Sequence, residues 1–401
     1  MRTTILNNPS LSNVNVQPSN TLYVKMLMTL FVLFTFASTI NTVLPFSLNR
    51  ILIVLLVAII AIREISENPV RLSKLFLYAF LAFAFVYTSL KSSGSLSENS
   101  EDYIYFFVYC LVFFTMFSKR LMDSLYIVGQ KNKLLFSLVL VASLCVLLLS
   151  QLSGKSYEGD GSFRGWMVSS HSVASTCILI FSIFLFLKVK NPLPYLTCSY
   201  FVFISNARTF LIPLAILLYF YLRIIIKNKS ARFAIICLSL ILIAFIFPKT
   251  TMYQKFLSTF NNQYAGDPFA GLSNGRTVFW MADIRSYVND YSFVEKLFGR
   301  GFSWVKDVNY AITGHRLWAH NDIINLLLSV GVIGLSVYCA VFVAFIRKIK
   351  NIRLTFFISF SIIVCALVNG FYLYFPLVLS SVFIAHYQYI YPERFWKNKK
   401  C

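Results

Sequence analysis

The sequence predicts an all-α, polytopic integral membrane protein of about twelve transmembrane helices, with one large extracytoplasmic loop between spans 9 and 10. Three observations predict it. The 401 residues are 58% hydrophobic and only 13% charged, against about 25% charged in ordinary soluble chains, so the polar groups could not cover a water-facing surface. Mean hydropathy is +0.71, and the apolar residues gather in runs close to the roughly 20 residues a bilayer requires. The third is charge: 36 Lys+Arg stand against 15 Asp+Glu, a formal net +21, concentrated in alternate connectors. A basic excess can mark nucleic-acid binding, but the runs between these charges are too long and too apolar for that partner.

The elements follow in order. Residues 1–21 read as a polar cytoplasmic tail, and no small-residue cleavage site follows the first apolar run, which argues against a signal peptide. Spans are expected at 22–40, 43–62, 75–90, 103–117, 134–152, 169–187, 193–206, 209–222 and 233–247, which make up the block 22–247. The large periplasmic loop is 248–319, spans 321–346, 355–375 and 377–391 fill the block 320–391, and a basic cytoplasmic tail occupies 392–401. Connectors 63–74, 118–133, 188–194, 223–232 and 347–353 are rich in Lys and Arg, whereas 91–102, 153–168 and 248–319 are mixed or acidic. The positive-inside rule then sets both termini in the cytoplasm, in agreement with an even number of crossings. So divided, the cytoplasmic side holds 23 Lys+Arg and 4 Asp+Glu and the outer side 13 and 11. The basic excess is thus a topology signal. Spans 7 and 8 share only the stretch between Lys190 and Arg223, so they are two short helices or a re-entrant hairpin; both leave the downstream topology unchanged.

Seven of the eight cysteines fall inside expected spans and no C-x-x-C occurs, which predicts neither a disulfide framework nor a zinc site. No metal or cofactor is expected. GRGFSW lacks the Gly-Lys-Ser/Thr ending of a phosphate loop.

The 248–319 loop is too aromatic to read as disordered, with Trp280, Trp304, Trp318 and several Phe. Within it Val278, Met281, Ile284 and Val288 form a helical stripe over Thr277–Val288, which predicts an amphipathic helix at the membrane interface. The plainer alternative is a folded cap that only shields the spans.

Candidate chemistry clusters on the outer side. His320 stands where the loop meets span 10, in WAHNDIINLLLSVGVIGL. A helix N-terminus disfavours the imidazolium, and a neutral imidazole can take a proton from a sugar hydroxyl. On a continuous helix Gly331 would lie almost under His320, with Gly334 close to the same stripe, permitting close helix contact or a lipid groove. Arg164, Arg208, Arg276, Arg300 and Arg316 are the outer arginines of interest, because a guanidinium beside hydrocarbon is costly and its planar fork suits pyrophosphate oxygens. Arg208, in SNARTF, is the most closely flanked by apolar spans. His171 and Ser170 open span 6 and could line the same cavity, whereas His386, near the cytoplasmic end of span 12, reads as structural. Snorkelling or ion-pairing roles remain the alternative for each arginine taken singly.

Four pieces of this sequence together resemble the bacterial O-antigen polymerase and O-antigen ligase superfamily. They are His320-Asn321 followed nine residues later by Gly331-x-x-Gly334; SNGRTVFW with the following LFGRGF; SNARTF; and FRGWMVSSH. With the span pattern they cover roughly 150–346, while the first 130 residues match only in being apolar and helical. The resemblance implies a GT-C-like fold and an inverting, metal-independent glycosyl transfer on the outer face of the bacterial cytoplasmic membrane. The donor would be an oligosaccharide on undecaprenyl pyrophosphate. By the same resemblance His320 activates the acceptor, Arg208 and Arg276 hold the pyrophosphate, and Arg164, Arg300, Arg316, His171 and Asn321 contribute to substrate binding. A chain-length regulator and a flippase would be partner proteins. Ala-His-Asn-Asp with GRTVFW and FGRGF ahead of it looks more like the polymerases; ligation of the glycan to lipid A core is the alternative. A polysaccharide-lipid transporter or flippase is a further one, but its ionisable residues would sit at mid-membrane, and here they gather at the outer ends.

Overall fold

The computed structural model describes residues 18–66, 72–91, 96–116, 118–154, 157–159, 161–254, 257 and 275–391. Among the described residues the chain is helical, with one isolated bridge, Tyr157 to Phe163, and no strand. The helices are α1 (Pro18–Thr39), α2 (Leu48–Ser66), α3 (Leu72–Lys91), α4 (Leu96–Leu111, continued by a π-turn Val112–Met116), α5 (Lys119–Lys131), α6 (Lys133–Leu152), α7 (Ser170–Phe186) and α8 (Leu193–Ile204). There follow α9 (Leu211–Ile225, led in by a 3-10 turn Arg208–Phe210), α10 (Lys229–Ile246), α11 (Arg276–Asn289), α12 (Phe293–Phe298), α13 (Phe302–Thr313), α14 (Asp322–Arg347), α15 (Ile352–Val368) and α16 (Phe375–Ile390). A helix lies at each expected span. Among the described residues six segments are long and apolar enough to cross a membrane, or seven if the bent pair of α4 and α5 is one span, the make-up of a multi-pass membrane protein. Four further apolar helices, α7, α8, α15 and α16, have only 17, 12, 17 and 16 residues.

The core lies around α7 and α16, which are apolar on all sides and buried along almost their whole length. An all-apolar helix belongs inside a bundle or facing lipid on its free sides. The two helices are tied by Ser182 Oγ to Ser380 Oγ at 2.5 Å and by Tyr387 Oη donating to Ser182 O at 2.7 Å. Helix α10 is the opposite case, equally apolar and with no buried side chain among its described residues.

Two expectations change. The connector 118–133 contains α5, an amphipathic helix capped by Ser118 and bent 97° from the helix before it. Its basic ends hid an apolar face, Leu121, Met122, Leu125 and Val128, which packs against α1 and α6. Span 7 is short, as expected: α8 rises about 18 Å at 1.5 Å per residue, well under the roughly 30 Å hydrocarbon core, whereas Arg208–Ile225, at span 8, is long and apolar enough to cross. Span 11 was drawn to residue 375, but α15 stops at Val368, because Asn369 and Gly370 (φ +95°) turn the chain sharply. The apolar run FYLYF after that turn concealed it.

The segment 275–319 forms a folded layer of α11, α12 and α13. Tyr291, Val305 and Ala319 make a small core with Ile324 and Leu328 of α14, flanked by Trp280 and Trp304. The head of the expected loop, 258–274, and the tails 1–17 and 392–401 lie outside the described residues. Helix α14 is not continuous. Gly331 adopts φ +68° and ψ −173°, and the break frees carbonyls that accept from Arg300 N (to Leu328 O) and Gly301 N (to Ser329 O), both at 2.9 Å. A Cβ on Gly331 would meet the Leu297 carbonyl at 2.3 Å. The expected stripe from His320 to Gly331 therefore does not exist. Close contact does occur at Gly331, but between backbones.

Candidate functional site

His320 precedes α14 and takes φ +51°, a left-handed conformation uncommon outside glycine. Its neighbours pin it there. Trp280 Nε1 donates to Ala319 O at 2.5 Å, and Asn321 caps α14 by accepting from Ile323 N (3.0 Å) and Ile324 N (3.2 Å). Asn321 also donates to Leu367 O at 3.0 Å, so its side chain is engaged as a cap and a tie to α15. The Trp318 ring covers the His320 ring at 4.3 Å. His320 Nδ1 is buried and has no hydrogen-bond partner among the described residues.

Asp322 explains how α15 and α16 meet this histidine. Its buried carboxylate accepts from Phe371 N (2.9 Å), Tyr372 N (3.2 Å) and Tyr338 Oη (2.9 Å). The turn at Asn369–Tyr374 is thereby clamped to the start of α14. Gly370 fits because a Cβ there would strike the Trp318 ring at 2.4 Å. Asn369 then faces two groups: it accepts from Arg276 Nη2 at 3.3 Å and donates to Tyr374 Oη at 3.3 Å. Arg276, the first residue of α11, also donates to Val368 O.

A chain of rings closes the other side. His171, in the first turn of α7, lies 6.2 Å from Tyr374 and 5.8 Å from Phe210, and Tyr374 lies 6.4 Å from Trp318. The Glu158 carboxylate accepts from Ser170 N (2.7 Å) and Ser170 Oγ (3.1 Å) at the start of α7, where the helix dipole favours an anion. Arg208 opens the 3-10 turn before α9, after a left-handed Asn206.

The electrostatics follow from burial and like charge. Burial pushes the Arg276 guanidinium below its ordinary range; the Tyr374 phenol opposes this and the charge of Arg208 adds to it. Burial, then the charges of Arg276 and His171, push His320 down to about 3, against a smaller opposing effect of Asn369. His320 is therefore neutral at physiological pH. Two guanidiniums acting on one another beside an uncharged imidazole form a place prepared for an anion.

The structure thus gathers His320, Arg276, Arg208 and His171 at the N-terminal ends of α14, α11, α9 and α7. It does not gather the rest. Arg300 bonds Glu295 Oε2 at 3.0 Å and is sandwiched between the rings of Tyr291 and Trp304, each at 4.6 Å. Arg316 pairs with Asp307 at 2.8 Å. Arg164 is exposed and takes no part in the contacts around His320. Sequence reasoning missed Asn369, Tyr374 and the placement of Trp318; the available signal was Asn369-Gly370, a turn dipeptide interrupting an apolar run. Asp322 had been read only as a charge suited to the helix dipole, whereas it clamps the turn. Among the described residues no three His, Cys, Asp or Glu side chains form a metal-binding group. No protein-family model matches the sequence, and no curated protein matches it.

Proposed function

We propose that this protein is a membrane glycosyltransferase that polymerises oligosaccharide repeat units carried on undecaprenyl pyrophosphate, at the outer face of the bacterial cytoplasmic membrane. The observation that carries the reading is the mutual influence of Arg276 and Arg208 beside a neutral His320 covered by the Trp318 ring. Twelve crossings with both termini inside follow from the charge distribution along the sequence. A GT-C-like arrangement belongs to the same reading.

The pyrophosphate lies against Arg276 and Arg208, whose forks match its oxygens. The acceptor hydroxyl attacks the anomeric carbon from the face opposite the leaving group. The new glycosidic C–O bond forms as the bond to pyrophosphate breaks, inverting the centre. His320 takes the hydroxyl proton, and undecaprenyl pyrophosphate departs with the electron pair, stabilised by the two arginines. A base held near pKa 3, chiefly by burial and then by the charge of Arg276, is weak, and the incoming anion offsets the second of these. Base strength therefore rises when the donor is bound. The rings of Trp318 and Tyr374 suit the apolar faces of sugars.

In the native host, His320→Ala and Arg276→Ala should each abolish long polymer while the protein remains at normal level in the membrane. Gel banding of surface polysaccharide reads this, and a normal ladder from both variants overturns the assignment. Deletion of the gene should leave single repeats on the acceptor. A bare acceptor with accumulated lipid-linked polymer would instead indicate a ligase.

A further inference from the structure

Helix α11 is turned the wrong way round for a helix standing in water. Val278, Met281, Ile284 and Val288 are 46%, 54%, 41% and 56% exposed, while Phe279, Asp283 and Ser286 are buried against the protein. At about 100° per residue the two sets are centred about 190° apart, on opposite faces. The adjacent first turn of α12 adds Phe293 (77% exposed) and Val294 (50%). Lys296 of α12 donates to Val288 O at 2.9 Å, so these residues continue the end of α11.

We infer that this outward face docks on the lipid bilayer, laying the outer layer on the membrane surface. Two further observations select lipid as the occupant. The face adjoins another exposed apolar surface on an apolar helix: α15 exposes Ile352, Phe356, Phe360, Ile363 and Leu367 along its length, and its last carbonyl, Val368 O, receives Arg276 at the first turn of α11. The face is also edged by exposed Arg285, which suits the phosphates of an anionic leaflet. Water would favour the reverse arrangement, with Asp283 outside and the four apolar side chains within. The inference is independent of the proposed chemistry, since a docked outer layer serves any activity.

The test uses the full chain in vesicles of phosphatidylethanolamine and phosphatidylglycerol. A photoreactive benzoyl-phenylalanine replaces Met281 or Ile284 in separate proteins, with Phe360 as the lipid-facing reference and His315, exposed beside the Asp307–Arg316 pair, as the water-facing one. After illumination, mass spectrometry identifies what each probe has captured. Lipid adducts at positions 281 and 284, at a yield within a few-fold of position 360 and far above position 315, are expected. Two outcomes overturn the inference. One is capture of a second copy of this chain; the other is a yield at 281 and 284 as low as at 315 while 360 reacts. Neither depends on catalytic activity, so a failed polymerase assignment leaves the result readable.

Discussion

Asp283 and His320 are both held uncharged by burial, with opposite consequences. Burial pushes Asp283 up to about 7, against a smaller pull from Asn309. Its two carboxylate oxygens are buried with no hydrogen-bond partner among the described residues, which favours the protonated acid. The native state therefore binds a proton that the unfolded chain releases near pH 4. Stability is greatest below that value and declines as pH rises to about 7. The outer layer should accordingly exchange its amide hydrogens faster at pH 8 than at pH 5, after correction for intrinsic exchange. Asp283→Asn should flatten that difference; an unchanged pH dependence in the variant would show that another group is responsible. For His320 the sign reverses: a neutral native imidazole contributes stability above the ordinary histidine pKa, near 6.5, and that contribution is lost as pH falls below it.

At the scale of elements, the break in α14 is the informative feature. Gly331 meets two demands that no other residue meets: a positive φ and a backbone carbonyl where a side chain would begin. Gly331→Ala should cost about 1–3 kcal/mol and lower the thermal unfolding midpoint of the purified protein in detergent. Gly159→Ala, with open space around it, should leave the midpoint unchanged. The helices themselves were legible in the sequence because hydropathy is a property of runs, and their limits were legible wherever charge marked them, as at Lys133 and Arg347. The breaks were not. Gly331 sits inside SVGVIGL, and Asn369-Gly370 inside an apolar stretch, so only tertiary contacts reveal that the chain turns there. His320, Arg208 and Arg276 stood out because each is polar at the edge of an apolar span. Asn369 and Tyr374 did not, since their role exists only once Asp322 clamps their turn to α14. Arg300 and Arg316 looked equivalent to Arg276 in the sequence, but their neighbours Glu295 and Asp307 engage them.

At the scale of the whole molecule, the net charge of +21 makes a prediction about orientation. Alkaline phosphatase is active only where its disulfides form, outside the cytoplasm. Its fusion after His315 should be active, and fusions after Lys227 and after Cys401 should be inactive. An active fusion at Cys401 would mean an odd number of crossings. Four short apolar helices, α7, α8, α15 and α16, all end at the candidate site, through His171, the turn before Arg208, Asn369 and Tyr374. Helices of 12 to 17 residues rise about 18–26 Å, less than the roughly 30 Å hydrocarbon thickness, so a bilayer-spanning helix of that length has an end below the membrane surface. If the proposed glycosyl transfer is right, ends sunk in this way would keep water from capturing the activated donor, and a donor tethered by its lipid tail would be guided to them. Frugality toward the donor would then be set by helix length.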